Sequence, residues 1–182
     1  LENYAELGVG GVSVWREHVE PVGVQEAARL LRESGLRPVS YVRGGFFCAT
    51  SGLAREEAKA RNHMIIDEAA AMGLPMVVLV CGAVPGLPLA DARYQIMAGI
   101  QDVLGHAEDA DIRLAIEPLH PMYADSRSAI NTMEQANNIV TSFDSTHLGI
   151  AVDVYHTWWD PYLRAEIDRS KGKLFAFHVC DW

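Results

Sequence analysis

Ile112-Arg113-Leu114-Ala115-Ile116-Glu117 is a short apolar run that stops on a carboxylate. Two later stretches repeat the pattern: Leu148-Gly149-Ile150-Ala151-Val152-Asp153, and Leu174-Phe175-Ala176-Phe177-His178. Runs this short and this rich in Ile, Val, Leu, Phe and Ala read as strands covered on both faces, the signature of a parallel sheet. A single charged residue at a strand exit means little, because every strand must leave the core somewhere. Three metal-capable side chains at three successive exits place Glu117, Asp153 and His178 at one end of one sheet, the end where α/β barrels keep their chemistry. Two carboxylates and an imidazole suit a divalent ion such as Mn²⁺, Mg²⁺, Co²⁺ or Zn²⁺.

Outward from these runs, strand-like and helix-like segments alternate without a linker or a low-complexity tract. Strands are expected at 11–15, 37–42, 75–81, 112–117, 148–153 and 174–179, with helices at 24–33, 55–72, 90–110, 128–142 and 161–169. Ser34-Gly35 and Gly73 supply helix stops, and Gly44-Gly45 reads as a turn. Residues 1–7 look like the end of a preceding helix. Such alternation means a parallel α/β domain, read as one domain over 1–182. An open doubly wound sheet would announce itself by a glycine-rich loop after its first strand, yet neither GxGxxG nor GxxxxGK[ST] occurs. A (β/α)8 TIM barrel is therefore favoured, with about six of its strands visible. Closure needs a strand before Leu1 and another after Trp182, so the sequence is expected to be part of a longer protein.

Composition narrows the function. Hydrophobic residues make up 49% of the 182, enough for one substantial core. A net charge of −9 argues against a surface that grips nucleic acid. No membrane span and no leader are read, which makes the cytoplasm the expected location. Cys48, Cys81 and Cys180 are odd in number and widely spaced, against a disulfide framework.

Ile116-Glu117-Pro118, Asp153-Val154-Tyr155-His156 and Phe177-His178-Val179-Cys180-Asp181 resemble the sugar phosphate isomerase/epimerase superfamily, the xylose isomerase-like TIM barrels. That group includes ketose 3-epimerases, inosose isomerase and dehydratase, and endonuclease IV. The resemblance implies a divalent-metal-dependent isomerase or epimerase acting on a small sugar, sugar phosphate or polyol by proton transfer through an enediolate, without a nicotinamide. Glu117, Asp153 and His178 match three of the family's four metal ligands; the fourth is expected after Trp182. It implies catalytic roles for Glu117 and for His156, the latter facing substrate oxygen.

Softer candidates for substrate contact are His120, Arg43 and Trp15. His120 follows Glu117 in a loop that lacks the epimerases' second acid, and Arg43 and Trp15 end early strands. Arg16 also points toward the rim, and Trp158 and Trp159 offer a stacking platform. His63 and Met64 are expected to pack within a helix. Three alternatives stay open: an inosose dehydratase-type lyase, a nuclease, for which His18 is the one further ligand in sight, and an idle barrel that binds sugar as a sensor. A homo-oligomer is compatible with each.

Overall fold

The computed structural model describes residues 1–180. Asp181, the last residue of the third motif, lies outside them. The described residues build eight α-helices and one six-stranded parallel sheet: α1 (Glu2–Glu6), β1 (Gly11–Trp15), α2 (Arg16–Val19), α3 (Val24–Ser34), β2 (Arg37–Gly45), α4 (Gly52–Met72), β3 (Met76–Val80), α5 (Leu89–Asp109), β4 (Arg113–Ile116), α6 (Met133–Ser142), β5 (Leu148–Asp153), α7 (Val154–Thr157), α8 (Leu163–Arg169) and β6 (Leu174–His178). Strand order follows sequence order from β1 to β6, every neighbour pair parallel. This is the unmixed β-α rhythm of a barrel, here an open arc of six strands of the TIM fold, and no strand order reverses as it would in a doubly wound sheet.

The sheet divides its side chains by the two-residue period of a strand. Val77, Leu79, Leu114, Ile116, Ile150 and Val152 face the helices and join the main core, with Ile65, Ile66, Ile96, Ile100 and Ile139. Met76, Val78, Ala115 and Ala151 form a second buried cluster with Val42, Phe175 and Ala176 on the inner face. Two residues beyond Ala115, Ala151 and Ala176 on that inner row stand Glu117, Asp153 and His178. Asp153 and His178 are register partners across β5 and β6.

Helix ends follow local chemistry. Gly35 and Gly73 close α3 and α4 in the left-handed region, at φ of 67° and 71°, as the sequence predicts. Helix α4 begins earlier than expected because Ser51 caps it, its hydroxyl accepting from the Ala54 amide at 3.2 Å. Helix α6 begins later, at Met133 rather than Ser128: Ser128 bridges to Gly82, and Thr132 is the residue that caps, accepting from the Gln135 amide. Gly44-Gly45 is not a turn but the end of β2. Gly45 holds φ of +99°, and a Cβ there would lie 2.1 Å from the Val80 carbonyl oxygen. Buried Asn62 of α4 clamps it, accepting from the Gly45 amide at 2.6 Å and donating to its carbonyl at 2.7 Å.

His63 and Met64 do not pack in the core. His63 pairs with Asp102 across α4 and α5, His106 pairs with Asp67 across the same helices, and Met64 is 46% exposed. Both helices turn other residues inward, so these two fall on the solvent face. Among the described residues, no helix is long and apolar enough to cross a membrane.

Candidate metal centre

Glu117, Asp153 and His178 converge. One ligand atom from each lies within 4.8 Å of the other two, and the set is the one metal-capable cluster of three among the described residues. His178 Nδ1 is 2.8 Å from Glu117 Oε1 and 4.0 Å from Asp153 Oδ2. Both carboxylates are nearly buried, at 9% and 8% exposure. Burying two anions side by side is costly unless cationic partners offset them. The hydrogen bond to Glu117 raises the His178 pKa against the opposing effect of burial, and the charge of Asp153 adds to it. An imidazole drawn toward its cationic form between two carboxylates occupies the ground that a cation suits. Two oxygens and one nitrogen, close enough to share one coordination sphere, fit a divalent ion.

Asp153 does two local jobs besides. As N-cap of α7, its Oδ1 accepts from the Tyr155 amide at 2.8 Å, and its carbonyl accepts from the Thr157 hydroxyl at 2.7 Å. The Cys180 thiol also donates to Oδ1, at 3.3 Å. The single helical turn that begins at Asp153 carries His156 back over the strand ends, which is the physical content of the Asp-x-x-His spacing. His156 Nδ1 accepts from the His120 amide at 3.2 Å. A neutral ring whose Nδ1 accepts carries its proton on Nε2. Burial pushes the His156 pKa down, opposed by the charges of Glu117 and Asp153.

These groups open on a cavity of about 310 Å³ lined by Ser13, Trp15, Val42, Arg43, Val78, Val80, Glu117, Leu119, Arg127, Asp153, His156 and His178. Its size suits a small polar molecule. Trp15 and Arg43 share it with the triad. Arg43 is the extra residue of a bulge in β2, since Val42 pairs with Val78 and Gly44 with Leu79; bulges re-aim a side chain in this way. Its guanidinium lies 5.6 Å from the Trp15 ring centroid and 5.5 Å from that of Phe46, and bonds Glu17 at 3.1 Å.

His120 does not line the cavity. Its ring packs edge-on against Trp159, its Nδ1 accepts from the Met122 amide, and its own amide holds His156. A proline-flanked loop turns the ring onto these neighbours, and through its amide the residue positions His156. Arg16 points elsewhere too, donating to both Glu68 oxygens at 3.0 and 3.1 Å, with the Tyr41 hydroxyl on the same carboxylate. Trp159 donates to the His156 carbonyl and braces the turn.

Two polar lining residues are not singled out by the sequence reading. Ser13, which accepts from the Ser40 hydroxyl at 2.8 Å, was accessible through strand periodicity, because it stands two residues before Trp15 on the same face. Arg127 carries no local signal at all.

The sequence matches the profile of the xylose isomerase-like TIM barrel family over residues 1–182. No curated protein matches it. Among solved structures, a protein from Sinorhizobium meliloti is 42% identical with a TM-score of 0.93, covering 98% of this chain and 66% of its own. A D-psicose 3-epimerase crystallised with D-fructose is 17% identical, with a TM-score of 0.84 over 99% of this chain and 66% of its own. The IOLI protein with a bound zinc atom is 17% identical, with a TM-score of 0.78 over 98% of this chain and 65% of its own. The chain therefore spans about two thirds of the length of these relatives. With six parallel strands in sequence order among the described residues and the family profile matched over residues 1–182, the chain belongs to the xylose isomerase-like TIM barrel family.

Proposed function

We propose that the protein is a divalent-metal-dependent isomerase or epimerase of a small sugar, working by proton transfer between a carbon and its neighbour. The observation that carries this reading is the convergence of two nearly buried carboxylates and a histidine, with a second histidine beside them, on one cavity at the strand ends. Glu117, Asp153 and His178 would hold the ion. Bound there, it would supply positive charge to stabilise negative charge developing on a substrate oxygen.

The protein's own groups divide the remaining work. A 2-hydroxy ketone or aldehyde loses the proton on the carbon next to its carbonyl, and the released electron pair moves into the carbon–carbon bond to give an enediolate. Glu117 is the base, an acceptor within 2.8 Å of His178 Nδ1 that can pass the proton back. Return to the adjacent carbon isomerises the sugar; return to the opposite face, through a second acid, epimerises it. His156 donates its Nε2–H to the carbonyl oxygen, and burial keeps the ring neutral so that it donates without adding charge. His120 fixes that tautomer through its amide. Trp15 and Arg43 form the wall against which the sugar lies. Support also comes from the sugar epimerase and the zinc-binding protein that share the fold.

Running the full-length protein with Mn²⁺ and a panel of ketoses, aldoses and inososes in D₂O tests this. Deuterium should enter at the carbon beside the carbonyl. His156→Ala should lower turnover by about 10²-fold or more, in line with loss of a positioned proton donor, while leaving Mn²⁺ affinity unchanged. Binding of sugars without any turnover would instead make the protein a sensor, and equal loss of Mn²⁺ in Asp153→Asn and His156→Ala would refute the division of roles.

A further inference from the structure

We infer that Ser13 is a specificity-determining residue of the cavity, its hydroxyl proton directed by the buried Ser40 at the terminal hydroxyl of the bound sugar; the inference rests on the isomerase reading and deepens it. Ser13 and Ser40 are register partners across β1 and β2, and their hydroxyl oxygens lie 2.8 Å apart. A bond between two hydroxyls can run in either direction, and burial decides it here. Ser40 is 0% exposed, and among the described residues Ser13 is the one hydrogen-bond partner of its side chain. If Ser13 donated, the Ser40 proton would be shut away with no acceptor, at the full cost of desolvating it. Ser40 therefore donates and Ser13 accepts.

Ser13 thus keeps its own proton to give. Its side chain lines the cavity, and no group among the described residues receives that proton. An O–H whose oxygen already accepts a hydrogen bond is polarised and donates more strongly. Among the described lining residues Ser13 is the one hydroxyl, on a wall that Val42, Val78 and Val80 otherwise make apolar. A lone donor of this kind fixes the orientation of a ligand. A ligand that covers it without offering an oxygen strips its water and returns nothing.

The place of Ser13 names the end of the sugar that it meets. Strands β1 and β6 are the two ends of the arc, and Glu117, Asp153 and His178 gather on β4, β5 and β6. In the proposed reaction the carbonyl and the reacting carbon lie with those groups and with His156. Ser13 stands at the other end of the arc, one step below Trp15 on the same face of β1, yet borders the same cavity. What reaches it is the far end of the sugar chain. In a ketohexose with its carbonyl at carbon 2, that is the hydroxyl on carbon 6.

The test titrates the full-length protein, loaded with Mn²⁺, calorimetrically with D-fructose, D-tagatose, L-sorbose and D-psicose, then with the 6-deoxy counterpart of whichever binds most tightly. The unmutated protein should bind the 6-deoxy sugar about 3- to 10-fold more weakly than its parent, the range for one neutral hydrogen bond. Ser13→Ala should weaken the parent sugar by the same factor and bind the two sugars alike, with Mn²⁺ affinity unchanged. Ser40→Ala should weaken the parent less, because Ser13 is then free to turn, and should leave the 6-deoxy sugar unaffected. A 6-deoxy sugar bound as tightly as its parent, or a preference that survives Ser13→Ala, would overturn the inference and leave the isomerase reading standing. Failure of the unmutated protein to bind any of these sugars would overturn that reading and the inference with it. Urea unfolding judges the direction of the Ser40–Ser13 bond apart from any sugar. Ser13→Ala orphans a buried donor and should lower the midpoint, Ser40→Ala should lower it less, and the double variant should recover most of the loss. Equal losses in the two single variants would overturn the assigned direction.

Discussion

Replacing Asp153 by Asn should reverse its effect on stability according to whether metal is present. The amide keeps the shape and the oxygen that accepts from Tyr155 at 2.8 Å, so the cap of α7 survives. What changes is charge. In the metal-free protein two carboxylates have ligand atoms no more than 4.8 Å apart. Like charges at that range repel by about 3 kcal/mol at an effective dielectric of about 20. His178 lies 2.8 Å from one and 4.0 Å from the other and offsets part of this. Once solvent screening and the lost attraction to His178 are counted, a net gain of about 1 kcal/mol is expected for the metal-free variant.

With Mn²⁺ the sign turns. An ion at one hundred times its dissociation constant stabilises the native state by about 2.7 kcal/mol. If losing an anionic ligand weakens the site about a hundredfold, the same concentration stabilises the variant by only about 0.4 kcal/mol. The variant should therefore unfold later than the unmutated protein in EDTA and earlier in Mn²⁺, by about 1 kcal/mol each way. Urea titrations followed by circular dichroism would read this as midpoint shifts of about half a molar, given slopes of about 2 kcal/mol per molar for a chain of this size. A variant that is less stable in EDTA, or that gains as much from Mn²⁺ as the unmutated protein, would refute the placement of Asp153 in a shared ion site.

Gly45→Ala and Gly35→Ala, both at positive φ, should differ sharply: the second meets open space and should cost about 1 kcal/mol of backbone strain. The first drives a Cβ to within 2.1 Å of the Val80 carbonyl and disturbs the Asn62 clamp, so about 4 kcal/mol or more is expected, read from urea midpoints. His156 gives a pH dependence. Burial depresses its folded pKa below that of the unfolded chain, so its contribution is present above about pH 6.5 and is lost as pH falls through the lower folded value. Between pH 7 and pH 5 the unmutated protein should lose more stability than His156→Gln, and parallel losses would show that the ring is not held neutral by burial.

How far the fold and the site were legible in the sequence follows from the range of the forces involved. The strand ends at Glu117, Asp153 and His178 could be read because each closes a short, nearly continuous apolar run, a signal contained within a few residues. The Asp153–His156 pairing is equally local, one helical turn. The glycine stops at Gly35 and Gly73 belong to the same class, since a left-handed φ needs only the residue itself. Failures begin where a residue's conformation is set by something distant. Gly44-Gly45 resembles a turn until Val80 and Asn62 are placed against it, and then only a strand end without side chains fits. Ser128 resembles a helix start until Gly82 pairs with it. That pairing also carries Arg127 to the cavity, so its place there could not be found within its own loop. His120 shows the converse, a residue of the right type in the right loop whose ring is turned aside by Trp159 and whose amide, the one atom that every residue but proline shares, does the work of holding His156. Side-chain identity therefore marks the strand ends of this barrel, while its substrate-facing wall depends on contacts between consecutive loops. The loops after β3, β4 and β5 are thus a coupled unit, joined by Gly82–Ser128, Tyr123–His156 and His120–His156, and a change in any one of them alters the cavity seen by the other two.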